Sequence, residues 1–304
     1  MSPAGSREFL LFMSLSSWQA YCVFYLPGLH KEAMGVGAVR SRTLDDAHGG
    51  LHCDIPVTTA TRAGITLAAA GDMALSRDRT HPWRAGFLAR QGIPRERLYA
   101  LRQVHSRRVQ LIDEQSVDEI AAVEADGLLT DRSDAVLSVT VADCLPIFLA
   151  DRRSGAFGVV HSGWKGTGIV EEALSVMASR FGSLPAEVSA VIGPGIGACC
   201  YRVPEERAAF FASEYGAGSV VRYEGGAPRL DLRAANIALL RRAGVEDVTV
   251  VTDCTSCSPK LGSFRRQGAA EFTLMLAWIS RGAPLDAPDA PDAPARDVAR
   301  VPAD

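Results

Sequence analysis

Through the middle of the chain, short apolar runs alternate with segments whose apolar residues recur at helical spacing, a pattern that predicts a mixed α/β domain built in layers. Segments 135–141, 145–150, 157–160, 188–192 and 248–252 are rich in Val, Ile and Leu, are bounded by Gly, Pro or Asp, and are predicted strands. Over 169–181 the period changes. Ile169, Ala173, Leu174, Met177 and Phe181 share one face, and Glu171 and Glu172 occupy the first turn, where the helix dipole favours acids. A second helix is predicted in EERAAFFASEYG behind Pro204, and Asp231 caps a third that stops at Gly244.

Both ends depart from this pattern. Residues 9–29 carry no charge, a length that matches a bilayer core of about 30 Å. Ser14, Ser16, Ser17, Gln19, Pro27 and Gly28 interrupt the run, however, and Glu8 offsets Arg7, so the basic start of a signal peptide is missing. Residues 1–54 are therefore set apart as an ill-ordered extension or a start placed too far upstream. Residues 283–304 repeat Ala, Pro and Asp and have little to bury, which predicts a disordered tail. A single folded unit is expected over 55–282.

Composition narrows the function. The chain is 47% hydrophobic, enough for a core without staples, and its 32 Lys and Arg against 35 Asp and Glu give no basic field for nucleic acid. A small-molecule partner is expected. Seven cysteines, at 22, 53, 144, 199, 200, 254 and 257, are too irregular for a secreted disulfide framework, which suits a reducing, cytoplasmic setting.

The densest chemistry lies in VADCLPIFLADRRSGAFGVVHSGWKG, residues 141–166. Two strand segments flank the turn DRRSG and should pair as an antiparallel hairpin. A turn centred on Arg153 sets Cys144 opposite Ser162 and Leu145 opposite His161. Opposed Cα atoms lie about 4.5–5.5 Å apart, so Cys144 and His161 reach one metal if a bulge or turn brings them to the same face. Thiolate and imidazole suit zinc, which takes four ligands. His105, in LYALRQVHSRRVQLID, is the only other histidine in a strongly patterned core segment and completes a set of three. Three ligands from separate strands leave a fourth position open, as in catalytic zinc. Without a metal, the same residues read as a small core cysteine and hydrogen-bonded histidines.

Seven blocks in order, QVHS at 103–106, EADGLLT at 124–130, VADCLP at 141–146, HSGWKG at 161–166, IGPGIGACCYRV at 192–203, DLRAAN at 231–236 and SFRRQG at 263–268, resemble the YfiH family, also called the laccase-domain or FAMIN-like family. The resemblance implies a layered α-β-β-α sandwich and a zinc site on His105, Cys144 and His161. It further implies phosphorolysis of adenosine, inosine, guanosine and methylthioadenosine, adenosine deamination, or both. A role in peptidoglycan editing and an older polyphenol oxidase label also attach to the family. The front matches poorly. Thr59, Ala60, Thr61 and Arg62 stand where relatives read Thr-Arg-His-Gly-Gly, and the family's Asn-Arg step corresponds to Asp78 and Arg79, making Arg79 a phosphate candidate. After SFRRQG, residues 269–271 replace the usual Gly-Arg.

For deamination, zinc-activated water needs a nearby carboxylate, and Asp143 is the best placed in sequence, with Asp126 second; either could instead cap a turn. For phosphorolysis, Lys165 with Gly163, Gly166 and Gly168 precedes the helix at Ile169, where amides and the dipole favour an anion. The spacing is not that of a Walker motif. Arg265 and Arg266 are further phosphate candidates, or solvated surface arginines. Six histidines, three of them before Cys53, are too few for a multicopper cluster, although one copper on the same three ligands stays open as an alternative to zinc.

Cys254 and Cys257 resemble a redox or zinc CxxC, but no second CxxC follows, and Cys199 and Cys200 are read as packing residues of a glycine-rich loop. Two other classes of function stay open: a structural zinc in a protein that binds cell-wall precursors, and an amide hydrolase with Cys144 as nucleophile.

Overall fold

The computed structural model describes residues 38–44, 50–75 and 82–282. Its strands begin with β1 (Arg40–Arg42), β2 (His52–Asp54), β3 (Thr61–Thr66), β4 (Leu98–Tyr99) and β5 (Val109–Leu111). They continue with β6 (Gly127–Thr130), β7 (Val136–Val141), β8 (Leu145–Asp151), β9 (Phe157–Ser162) and β10 (Val188–Ile192). The last are β11 (Val220–Val221), β12 (Arg229–Leu230), β13 (Asp247–Val251) and β14 (Met275–Arg281). The helices are α1 (Pro82–Arg90), α2 (Val117–Ala121), α3 (Ile169–Phe181), α4 (Glu205–Tyr215), α5 (Leu232–Arg242) and α6 (Phe264–Gln267).

A seven-stranded sheet ordered β1-β13-β10-β8-β9-β6-β5 lies against a five-stranded sheet ordered β2-β3-β14-β7-β4. Side-chain alternation assigns each face. Leu145, Ile147 and Leu149 of β8 join Leu174 and Met177 of α3 and Leu239 of α5 in one core cluster. Phe148 and Ala150 of the same strand join Leu137 and Val139 of β7 and Ala277 of β14 in a second. A third packs Leu276 and Trp278 of β14 against Phe87 and Leu88 of α1. The layers are thus helices, sheet, sheet and helix, the α-β-β-α order implied by the family resemblance. Both faces of β8 are covered, which is why it reads as a continuous apolar run rather than an alternating one.

Every predicted strand is present to within a residue or two, and the first predicted helix has the predicted bounds. Asp231 caps α5 by accepting a hydrogen bond from the Ala234 amide at 2.9 Å. Strand pairing begins upstream of Ile55: β1 runs parallel to β13, and β2 runs antiparallel to β3. Segment 9–29, Arg79 and the 283–304 tail lie outside the described residues. Among the described residues no helix is long and apolar enough to cross a membrane.

The predicted hairpin forms, one residue out of the expected register. Leu145 pairs with Ser162 and Pro146 with His161. The turn is responsible. Asp151 accepts hydrogen bonds from the Arg153 amide at 2.8 Å and the Ser154 hydroxyl at 2.6 Å, and Gly155 at φ 75° lets its own amide close back on the Asp151 carbonyl at 3.1 Å. Because side chains alternate, a one-residue slip exchanges faces. In the observed register Cys144 and His161 fall on the same face, diagonal neighbours at the open end of the hairpin, with no bulge required.

Candidate metal centre

His105, Cys144 and His161 converge, with one nitrogen or sulfur of each lying within 4.8 Å of the others. The two imidazoles meet edge to face at 4.9 Å between centroids. His161 is almost fully buried, Cys144 half-buried and His105 exposed, so the group opens to solvent on the His105 side.

Asp126, fully buried immediately before β6, organises this arrangement. Its Oδ1 receives the His105 amide at 3.0 Å and lies 2.9 Å from His161 Nδ1. Its Oδ2 receives the Ser106 amide at 2.6 Å, the Ser106 hydroxyl at 2.7 Å and the Val104 amide at 3.2 Å. One carboxylate therefore folds the 104–106 turn around itself, and His105 adopts φ 58°, a conformation that few side chains other than Asn, Asp and His tolerate. Gln103 fixes the front of the turn by bonding the Thr140 carbonyl and amide, each at 2.8 Å.

Each ionisable group of the cluster is set by its neighbours. Burial alone would raise the Asp126 carboxyl, but the bonds from His161 and Ser106 hold it down to about 2. Burial would likewise disfavour ionised Cys144, yet His161 and His105 bring its thiol down to about 6. His161, which burial would discharge, is pushed up to about 9 by the Cys144 thiolate and Asp126. A thiolate facing an imidazolium is the protonated counterpart of a thiolate and a neutral imidazole sharing a cation. With Nδ1 committed to Asp126, Nε2 is the nitrogen left for a ligand, the carboxylate–histidine arrangement that fixes a metal-binding tautomer. The donor set of two imidazoles and one thiolate fits zinc and also copper.

The Gly163 position, which follows β9, is sterically required. A Cβ there would lie 2.6 Å from Cys144 Sγ and 3.6 Å from His105 Cδ2. The thiol occupies the space that a side chain would take.

The other expected residues divide. Asp143 has both oxygens engaged, with the Thr255 hydroxyl at 2.6 Å and the Arg265 amide at 2.7 Å, and takes φ 89°. It fastens the turn that presents Cys144 to the loops at 255 and 265. Arg266 donates to the carbonyls of Thr255, Ser258 and Leu261, which makes it a strut between loops. Arg265 is exposed, its guanidinium 5.5 Å from the centre of the Tyr201 ring. Lys165 is exposed beside Trp164, and Arg207 lies across the same ring at 3.9 Å.

Arg207 and Tyr201 were not singled out from the sequence, because Arg207 reads as an ordinary helix charge beside Glu205 and Glu206, and Tyr201 has no histidine near it. Burial and the Cys144 thiolate push the Tyr201 hydroxyl up to about 12 against the pull of Arg207 and Arg265, which places all four in one electrostatic neighbourhood.

A family model described as "Multi-copper polyphenol oxidoreductase laccase" matches residues 76–280. Among curated proteins, the chain is 37% identical over 201 residues to a purine nucleoside phosphorylase of Mycobacterium tuberculosis, covering 64% of this chain and 78% of that one. It is 29% identical over 269 residues to the purine nucleoside phosphorylase YlmD of Geobacillus stearothermophilus, covering 78% and 96%. The crystal structure of YlmD superposes with a TM-score of 0.69 at 28% identity, covering 75% of this chain and 94% of that one. Bacillus licheniformis YfiH superposes at 0.70 with 25% identity, covering 77% and 98%.

Proposed function

The chain belongs to the multi-copper polyphenol oxidoreductase laccase family, and from that membership we propose that it is a zinc-dependent purine nucleoside phosphorylase with its metal on His105, Cys144 and His161. The observation that carries the reading is the Asp126–His161–Cys144 line, which holds a histidine tautomer and a thiolate ready for a soft cation. The relatives named for phosphorolysis of purine nucleosides supply the reaction.

When bound, a cation at these ligands supplies Lewis-acid polarisation of a substrate oxygen. The remaining work falls to the protein. Phosphorolysis forms a bond from a phosphate oxygen to C1′ of the ribose as the bond from C1′ to the purine nitrogen breaks, and the departing base takes up a proton. Arg265, Arg207 and Lys165 are the exposed or partly exposed cations that would draw phosphate to this end of the hairpin. Tyr201, protonated at neutral pH, is a hydrogen-bond donor beside Cys144. Val104 and Phe264 are exposed apolar side chains next to His105 and Arg265, suited to a flat base. Asp126 acts as a positioning residue.

The test is incubation of metal-defined protein with adenosine, inosine, guanosine and methylthioadenosine, with and without phosphate, followed by product separation. Free base and ribose phosphate that appear only with phosphate support the proposal; inosine from adenosine without phosphate indicates deamination instead. A second reading rests on the same pair: a thiolate, imidazolium and carboxylate in line also describe a cysteine hydrolase. Stoichiometric zinc that protects Cys144 from alkylation rejects it.

A further inference from the structure

The structure brings together two pairs of cysteines that lie far apart in sequence. Cys199 and Cys200 lie in a turn after β10, Cys254 and Cys257 in a turn after β13, and one sulfur of each lies within 4.8 Å of the others. Cys257 Sγ is 3.4 Å from Cys200 Sγ and 3.6 Å from Cys199 Sγ. A tetrahedral zinc ion with bonds of about 2.3 Å needs its sulfurs about 3.8 Å apart; the two separations from Cys257 lie close to that spacing, and none in the group exceeds 4.8 Å. Neither pair alone is a zinc motif, which is why the sequence did not show them as one group.

We propose that Cys199, Cys200, Cys254 and Cys257 form a second, closed zinc site whose role is structural. Four protein ligands fill a tetrahedron and leave no position for substrate, unlike the three-ligand centre at His105, Cys144 and His161. The surroundings suit thiolates. The Gly197 amide donates to Cys254 Sγ at 3.2 Å, and the Cys257 and Ser258 amides turn back on the Cys254 carbonyl at 3.2 and 3.0 Å. Binding of a cation displaces the thiol protons to solvent.

The location gives the site a purpose. Thr255, between the two cysteines of the second pair, holds Asp143 Oδ1, and the Ile196 amide holds the Asp143 carbonyl at 2.8 Å. Arg265, whose amide holds Asp143 Oδ2, donates through its side chain to the Cys200 carbonyl at 3.3 Å. A cation that clamps the 199–200 turn to the 254–257 turn therefore steadies the turn presenting Cys144.

The experiment uses the full chain purified under reducing conditions with zinc supplied. Elemental analysis is expected to find one zinc ion fewer per chain in the double variant C199S/C257S than in the parent. Cobalt loaded into the C144S variant, whose first centre lacks its thiolate, is expected to retain intense thiolate-to-cobalt charge-transfer absorption. That readout needs only the four cysteines and stands whether or not the first centre takes metal or turns over nucleosides. Absence of the cobalt band in C144S overturns the proposal. So does unchanged zinc in C199S/C257S, or a disulfide from Cys257 to Cys199 or Cys200 found by mass spectrometry of the zinc-loaded protein as purified.

Discussion

Asp126→Asn isolates what the buried carboxylate contributes. The substitution keeps size and shape but replaces one acceptor oxygen by an NH2 donor. If the amide nitrogen takes the Oδ1 position it faces the His105 amide and His161 Nδ1; if it takes the Oδ2 position it faces the amides of Val104 and Ser106. Either orientation sets buried donors against a donor, each such mismatch costing about 1–3 kcal/mol. The ionised carboxylate also stabilises the fold. Its carboxyl is depressed to about 2 from the ordinary 3.8, so this contribution is present above pH 3.8 and is lost as pH falls through about 2. A shift of that size corresponds to about 2.5 kcal/mol at neutral pH.

The proposed metal centre should suffer in parallel, because the His161 tautomer and the 104–106 turn lose their common anchor. Loss of a carboxylate behind a metal-binding histidine weakens metal affinity about 10–100-fold. Competition for zinc against a chromophoric chelator measures this, and thermal melts of metal-loaded and metal-free protein separate it from fold stability. If D126N melts lower yet binds zinc as tightly as the parent, Asp126 serves the fold only, and its assignment as the positioning residue of the centre is refuted.

Gly163→Ala is expected to leave the melting temperature within a few degrees while lowering zinc affinity and kcat at least about tenfold, since a Cβ 2.6 Å from Cys144 Sγ displaces the thiol and backbone φ at this position is not in the left-handed region. Arg265→Ala and Arg266→Ala should part company. The first raises KM for phosphate with the smaller loss of stability, since its exposed side chain makes only long bonds to the Cys200 and Arg202 carbonyls, whereas the second removes a donor from three loop carbonyls and lowers stability by about 1–3 kcal/mol, read in urea melts. In metal-stripped protein the rate of Cys144 alkylation, taken as the difference from C144S, should hold on a plateau at neutral pH and fall as acid protonates a thiol whose pKa lies at about 6. A rate still rising above pH 8 contradicts the thiolate–imidazolium pair.

The strands and helices were legible because both local signals agreed. The apolar runs at 145–150 and 188–192 could be buried on both faces only in the middle of a covered sheet, and β8 and β10 pair there. Short edge elements were not legible. β1 and β2 each span three residues, with pairing supplied by β13 and β3, so no periodicity develops within them. The boundary expected at residue 55 overlooked them for this reason.

For the candidate metal centre, the sequence pointed to three residues that do converge, but from a register that would have separated two of them. Centring the turn on Arg153 put Cys144 and His161 on opposite faces and required a bulge to reunite them. The four-residue turn built on Asp151 and Gly155 shifts the pairing by one residue and removes that requirement. Turn length was the deciding variable, and it was set by an aspartate side chain that hydropathy does not register. The role of Asp126 was hidden in the same way. As a sequence position it competed with Asp143 for proton transfer, and only the bonds each carboxylate makes show both as supports, Asp126 beneath His161 and the 104–106 turn and Asp143 beneath the turn at Cys144. The centre and its supports are therefore specified by buried polar bonds between segments distant in sequence, and those bonds are where substitutions of similar shape should have their largest effect.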